Sequence, residues 1–228
     1  MHIVLTGVNR SIGLELTRQY LARGDTVFAG TRTPQQATEL TALQAASAGR
    51  LHIHACDVAD NASVRAFAAA VTQPVDVLIN NAGMRVRPDA LEPLDLVDTA
   101  RAIDVNALGA LRVTAALLPA LRRARGAKLA SIASGLGSIA DNTSGGSYGY
   151  RMSKAALNMA TRSLAQDLRA EGIAAVVLSP GWVQTDMGGA SAPTRVEESA
   201  AELITVLDRL TLKQSGSFLD FRGARLDW

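Results

Sequence analysis

Tyr150 and Lys154 stand four residues apart in Tyr150-Arg151-Met152-Ser153-Lys154, a spacing that puts both side chains on one face of a helix. Three Tyr and three Lys in 228 residues would meet at that spacing about 0.04 times by chance, which marks the pair as a candidate for chemistry. A phenol with a pKa of about 10 exchanges a proton poorly at neutral pH unless a cation stabilises its phenolate, and an ammonium one helical turn away does so. Only Lys128, Lys154 and Lys213 contribute Lys to the 23 basic residues, so a Lys here carries added weight. A hydroxyl could hold a substrate oxygen where negative charge develops. Ser134 lies just past the apolar run Leu129-Ala130-Ser131-Ile132-Ala133, with Ser131 and Ser138 as alternatives. Tyr148 is an alternative to Tyr150, but four residues beyond it stands Met152.

A second candidate is the turn Thr6-Gly7-Val8-Asn9-Arg10-Ser11-Ile12-Gly13, between an apolar strand-like run and a helical pattern. In that context Gly7 permits a tight turn, Gly13 permits close packing, and the helix N-terminus would face a pyrophosphate. A plain strand-to-helix connection has the same local appearance. The next strand-like run, Val27-Phe28-Ala29-Gly30-Thr31-Arg32, ends without the acidic residue that would bind an adenosine ribose hydroxyl. It ends on Arg32, which suits a 2′-phosphate, and Arg10 could reach the same group. The expected cofactor is NADP, with NADPH preferred over NADH.

The elements that must position these groups alternate along the chain. His2 to Thr6, Thr26 to Thr31, Leu51 to Cys56, Val75 to Ile79, Ala127 to Ile132, Ile173 to Leu178 and a short run from Ser217 to Phe221 read as strands. Ile12 to Arg23, Pro34 to Ala46, Leu94 to Arg123, Ser147 to Ala170 and Val196 to Leu210 read as helices. Continuously apolar strands such as VDVLI are those buried on both faces of a parallel sheet, and the alternation predicts βαβ units. The fold class is α/β, a Rossmann-like doubly wound parallel sheet flanked by helices. At about 30 residues per unit the whole chain, 1 to 228, is expected to be one domain with no separate substrate domain.

Composition narrows the class further. The net charge is +2, hydrophobic content 48%, and the pI near 9.0 reflects a small surplus spread along the chain rather than a nucleic-acid footprint. The dense run Arg122-Arg123-Ala124-Arg125-Gly126-Ala127-Lys128 reads as a solvated helix C-terminus. Arg112 interrupts the longest apolar stretch, Ala107 to Leu121, so no membrane span is expected, and a lone Cys56 suits a reducing, cytoplasmic setting. His52, His54 and Cys56 alternate as a metal site on a strand could, but no fourth ligand is evident, and packing is the better account. No metal is expected. Arg85 and Arg87 could meet an anionic substrate, although solvated loop arginines look the same in sequence.

Taken together the residues resemble the short-chain dehydrogenase/reductase family across nearly the whole chain. The signs are TGVNRSIG, the Asp57-Val58 step, Asn80-Asn81-Ala82-Gly83, Asn106, Ser134, Tyr150-x-x-x-Lys154, and Pro180-Gly181 followed by Thr185. NTSGGSYGYRMSKAALNM and the ending GSFLDFRGARLDW look like the C-factor and sniffer-like carbonyl reductase subgroup. The resemblance implies that Tyr150 is the general acid/base and Ser134 orients the carbonyl. Lys154 would bind the nicotinamide ribose and lower the Tyr150 pKa, and Asn106 would hold a water in the proton relay. Around the cofactor it implies Gly7, Asn9, Arg10, Ser11, Ile12 and Gly13 at the phosphates, and Asp57 with Val58 at the adenine. Asn81, Ala82 and Gly83 would support the cofactor, with Pro180, Gly181, Val183 and Thr185 near the carboxamide.

The implied activity is NADPH-dependent reduction of an aldehyde or ketone to an alcohol, or the reverse. The alternative is a non-enzymatic NADP-binding sensor or signalling protein. An epimerase or dehydratase on the same cofactor fold would need a larger C-terminal region. Ser11 departs from the family's usual glycine, which bears on cofactor affinity, and a longer interval between Ser134 and Tyr150 points to an insertion at Asp141 to Ser147. The segment between Thr185 and Val196 would cover the substrate, with Trp182, Met187 and Leu136 as apolar walls. A homodimer or homotetramer is expected through the long helices, where Ala155, Ala156 and Ala160 permit close contact.

Overall fold

Alternation of buried side chains across each strand sets the layers. In the computed structural model, which describes residues 1–87 and 89–228, β1 (His2–Thr6) sends Ile3 and Leu5 into one core and Val4 into another, each fully buried. β2 (Thr26–Thr31), β3 (Leu51–Ala55), β4 (Val77–Asn80), β5 (Lys128–Ile132), β6 (Ala174–Ser179) and β7 (Phe218–Asp220) complete a seven-stranded parallel sheet in the order β3-β2-β1-β4-β5-β6-β7. One core packs α1 (Ser11–Ala22) and α7 (Val196–Arg209) on the sheet through Leu16, Tyr20, Leu203 and Leu207, with Leu40 of α2 (Thr38–Ala46) beside them. The other packs α3 (Asn61–Ala70) and α5 (Gly109–Arg123) through Phe67, Val113, Leu117 and Leu121. Burial on both faces is why these strands read as uninterrupted apolar runs.

The strand order reverses between β1 and β4, whose residues pair Ile3 with Val77 and Leu5 with Ile79. Chain direction and strand order therefore open a crevice at the carboxyl ends of these two strands.

The structure differs from the sequence reading in several elements. The sequence reading names no helix where α3 lies; α3 is short and buries Val64 and Phe67, and Asp60 caps it by accepting from the Ser63 N–H at 2.6 Å. The helix expected from Pro34 to Ala46 divides into a 3₁₀ turn, Pro34–Gln36, and α2. The long helix expected from Leu94 to Arg123 is α4 (Leu96–Ile103), one π turn (Asp104–Leu108) and α5, together a 28-residue stretch apolar and long enough to cross a membrane by composition. Here it lies against the sheet, with Arg112 paired to Asp104. α6 (Tyr148–Asp167) carries the Tyr and Lys pair. The basic run that closes α5 is an exposed helix C-terminus, as its sequence suggests, with Arg122 forked onto Glu171 at 2.6 and 2.8 Å and Arg123 donating to the Thr72 and Gln73 carbonyls.

Candidate active site

A cleft of about 490 Å³ runs across the carboxyl ends of the strands. The β1–α1 turn forms its floor. Gly7 is left-handed, with φ +68°, and a Cβ there would come within 2.6 Å of the Ala82 Cα. Gly13 packs onto the Gly7 carbonyl, where a Cβ would clash at 2.2 Å. Asn81 locks the turn, its Nδ2 donating to the carbonyls of Thr6 and Gly7 at 3.1 and 2.8 Å. The first helical bond of α1 runs from the Leu14 N–H to the Arg10 carbonyl, and no side chain caps the helix. The N–H groups of its first turn, beside Ser11, Ile12 and Gly13, therefore open on the cleft without a helical acceptor, the arrangement that binds a phosphate. Ser11 adopts φ +52°, so a side chain occupies a conformation that favours glycine.

Asn9, Arg10, Arg32, Asp57, Val58, Asn81, Ala82, Gly83, Tyr150, Lys154, Pro180 and Thr185 also line this cleft. Thr31, Thr33, Gln36, Met84, Arg101, Val105 and Asp186, which sequence reasoning did not single out, line it too. Arg10 is paired with Asp186 at 2.7 Å across the mouth, both side chains exposed. Gly181, Val183, Ser134 and Asn106 stand outside the lining. Gly181 backs onto the Phe221 ring, which a Cβ would meet at 2.9 Å, and Val183 is buried, bridging to Thr194. The cleft offers donors at its floor that fit the phosphates of a dinucleotide.

Tyr150 and Lys154 are both buried, and the Lys154 Nζ lies 5.7 Å from the Tyr150 ring centroid. Lys154 donates to the Ile132 carbonyl at 2.8 Å. With no carboxylate at hand, burial pushes its ammonium down to about 8. Burial pushes the Tyr150 phenol up, while the Ser134 side chain and the Arg85 guanidinium pull it back. Ser134 is half-buried at the end of β5, its Oγ accepting from the Leu136 N–H at 3.2 Å. Ser131 is instead buried against Thr161 Oγ1 at 2.8 Å, and Ser138 holds the Asp141 N–H at 3.1 Å. Tyr148 is exposed at the first residue of α6.

Asn106 sits in the π turn, a distortion of the kind often found at functional sites. Its Oδ1 accepts from the Met84 N–H at 2.7 Å, and its Nδ2 donates to the Met84 carbonyl at 2.9 Å and to Ser153 Oγ at 2.8 Å. Both amide hydrogens are thus committed to protein, and the side chain clamps the Gly83–Met84 segment of the loop after β4 beside Lys154. A Cβ on Gly83 would lie 3.3 Å from Asn106 Oδ1 and 3.5 Å from Lys154 Nζ.

Two further residues act on Tyr150 that no motif announced. Asp89 accepts from the backbone N–H groups of Gly149 and Tyr150 at 2.8 and 3.0 Å, supplying from a distant loop the cap that Ser147 does not. The Arg85 Cζ lies 5.6 Å from the Tyr150 ring centroid. The three histidines lie elsewhere: His52 stacks on Phe28 with centroids 4.9 Å apart, and His54 is tilted against Phe67 at 6.0 Å. Burial pushes the Cys56 thiol up to about 12, which makes it a poor ligand at neutral pH.

Comparison with known proteins agrees with this architecture. The family model described as short chain dehydrogenase matches residues 1–195. C-signal of Myxococcus xanthus is 52% identical over 166 residues, 72% of this chain and all of that protein. Carbonyl reductase Sniffer of D. melanogaster superposes with a TM-score of 0.95 at 34% identity, covering all of this chain and 99% of that one. An NADPH-bound carbonyl reductase from chicken fatty liver gives 0.94 at 36% identity, over 100% and 94% of the two chains. The chain belongs to the short-chain dehydrogenase/reductase family, among the relatives of C-signal and the Sniffer-like carbonyl reductases.

Proposed function

We propose that the protein is an NADPH-dependent carbonyl reductase, converting an aldehyde or ketone to an alcohol or running the reverse oxidation, with Tyr150 as proton donor and acceptor. The observation that carries the reading is the buried Tyr150, with Lys154 and Ser134 beside it, at the wall of a cleft whose floor is a phosphate-binding helix N-terminus. NADPH held there would supply the hydride. Tyr150 Oη gives its proton to the carbonyl oxygen as the carbon is reduced, so one hydride and one proton make the alcohol. Ser134 Oγ holds that oxygen where charge develops. Lys154 favours the resulting phenolate by its charge, and Asn106 is a positioning residue that sets the Met84 segment against Lys154.

Arg32 lines the adenosine end without an acidic neighbour on the same strand, which favours the 2′-phosphate of NADPH. Arg10 would have to exchange Asp186 for that phosphate. The rival reading, an NADP-binding sensor without turnover, has no use for the Tyr150 hydroxyl. Oxidation of NADPH across a panel of aldehydes, ketones and quinones separates the two. Tyr150→Phe is expected to lower turnover by about 10²- to 10⁴-fold while NADPH still binds. NADPH binding with no carbonyl reduced above the variant's background would favour the sensor.

A further inference from the structure

Among the described residues, the positive charge beside Tyr150 is not balanced by a paired carboxylate. Arg85 is half-buried, lies outside the cleft lining, and has its Cζ 5.6 Å from the Tyr150 ring centroid. Its one hydrogen bond is to a neutral acceptor, Ser147 Oγ at 3.2 Å, and among the described residues no carboxylate lies within ion-pair distance of it. Two of the carboxylates on the segments packed there are engaged. Asp89 holds the N–H groups of Gly149 and Tyr150, and Asp186 is paired with Arg10. Glu92, Asp98 and Asp141 also stand on neighbouring segments, none within ion-pair distance of Arg85, alongside the cations Arg87 and Arg151. Arg87 donates to the Met187 carbonyl at 3.3 Å, and Arg151 donates to Ser144 Oγ at 2.9 Å while its Nε is buried without an acceptor. A guanidinium partly withdrawn from water, with a hydroxyl and an aromatic ring beside it and no carboxylate paired to it, can take an anion, and its planar fork matches a carboxylate.

We infer that Arg85 is a specificity-determining residue and that the preferred substrate is a carbonyl compound bearing a carboxylate, which Arg85 binds while the carbonyl oxygen meets Tyr150 and Ser134. The inference rests on the carbonyl reductase reading and deepens it by naming the substrate class. Arg87 and Arg151 add positive charge on neighbouring segments, and of the three arginines Arg85 is the one set against the phenol ring.

The test compares benzaldehyde with 4-carboxybenzaldehyde, which share a reacting group and differ by one carboxylate, using the full chain loaded with NADPH. Wild type is expected to favour the carboxylated aldehyde in kcat/KM by about tenfold or more, the effect of one charge-assisted contact. Arg85→Gln should bring that ratio to near one through a rise in KM for the carboxylated aldehyde, and Arg85→Lys should retain part of it. The ratio reads charge recognition alone, because any general effect of the variant on Tyr150 applies to both aldehydes. A check needing no variant is ionic strength: raising it from about 0.02 to 0.5 M should erode the wild-type preference. A ratio near one in wild type, or a preference that survives in Arg85→Gln, overturns the inference and leaves the reductase reading standing. Reduction by NADPH-loaded wild type of neither aldehyde, nor of any carbonyl on the panel above, overturns both.

Discussion

At the residue scale, the informative feature of Lys154 is that its ammonium is buried with a single carbonyl acceptor. Burial brings that proton's release in the folded protein down to about 8, below the 10.5 of an exposed lysine in the unfolded chain. Between those values the unfolded state binds more protons, so stability must rise with pH across the window, by about 3 kcal/mol if nothing else relaxes. Tyr150 has the opposite sign, since its raised pKa makes the folded state retain a proton that the unfolded chain loses, which lowers stability above about pH 10. Urea unfolding of cofactor-free protein and of Lys154→Met, from pH 7.5 to 10, should show the wild type gaining on the variant as pH rises. A constant difference between them would mean that Lys154 is as well solvated as a surface lysine. Reduction should weaken above about pH 8 for the same reason, as the charge that supports the phenolate is lost.

At the element scale, α6 is held by something outside itself. Ser147 offers no side-chain cap and sits at φ +50°, so the first turn depends on Asp89 for both of its satisfied N–H groups, one of them belonging to Tyr150. A carboxylate at a helix N-terminus also complements the macrodipole. Removing it in Asp89→Ala should cost about 1 to 2 kcal/mol, a melting temperature lower by about 2 to 8 °C, and should lower kcat about tenfold because the phenol loses its backbone anchor. Asp89→Asn, which keeps one acceptor oxygen, should recover most of kcat. Calorimetry and NADPH oxidation on the same preparations decide it; an alanine variant with wild-type kcat would reduce Asp89 to a stability role.

At the scale of the whole molecule, strands β1 to β6 deliver one wall each to a single cleft, so anything that fills the cleft joins both halves of the sheet. Cofactor binding should therefore appear as global stabilisation. At a hundredfold excess over Kd the linkage is worth about 2.7 kcal/mol, or about 5 to 10 °C in melting temperature for a chain of this size. NADPH should give a larger shift than NADH at equal concentration, and Arg32→Ala should narrow the gap from the NADPH side. Equal shifts for the two cofactors in wild type would remove the case for the 2′-phosphate contact.

Periodicity and motif spacing were enough to read the parallel α/β sheet, because strands buried on both faces must be continuously apolar and their connecting helices must be amphipathic. The Tyr150–Lys154 pair and the turn around Gly7 and Gly13 were legible for a similar reason: their chemistry depends on spacing within one element. Tertiary structure alone decided the rest. Asp89 lies about sixty residues from the helix it caps, and nothing in a solitary loop Asp distinguishes it from its neighbours. Arg85 reads as a solvated loop residue until the fold sets its guanidinium beside a phenol sixty-five positions away. The π turn around Asn106 leaves no mark on the hydrophobic pattern, since one extra residue in a turn barely shifts its phase. Local sequence specifies interactions closed within one element, whereas the charge and hydrogen-bond partners of a buried site are chosen by whichever segments the completed sheet brings into contact.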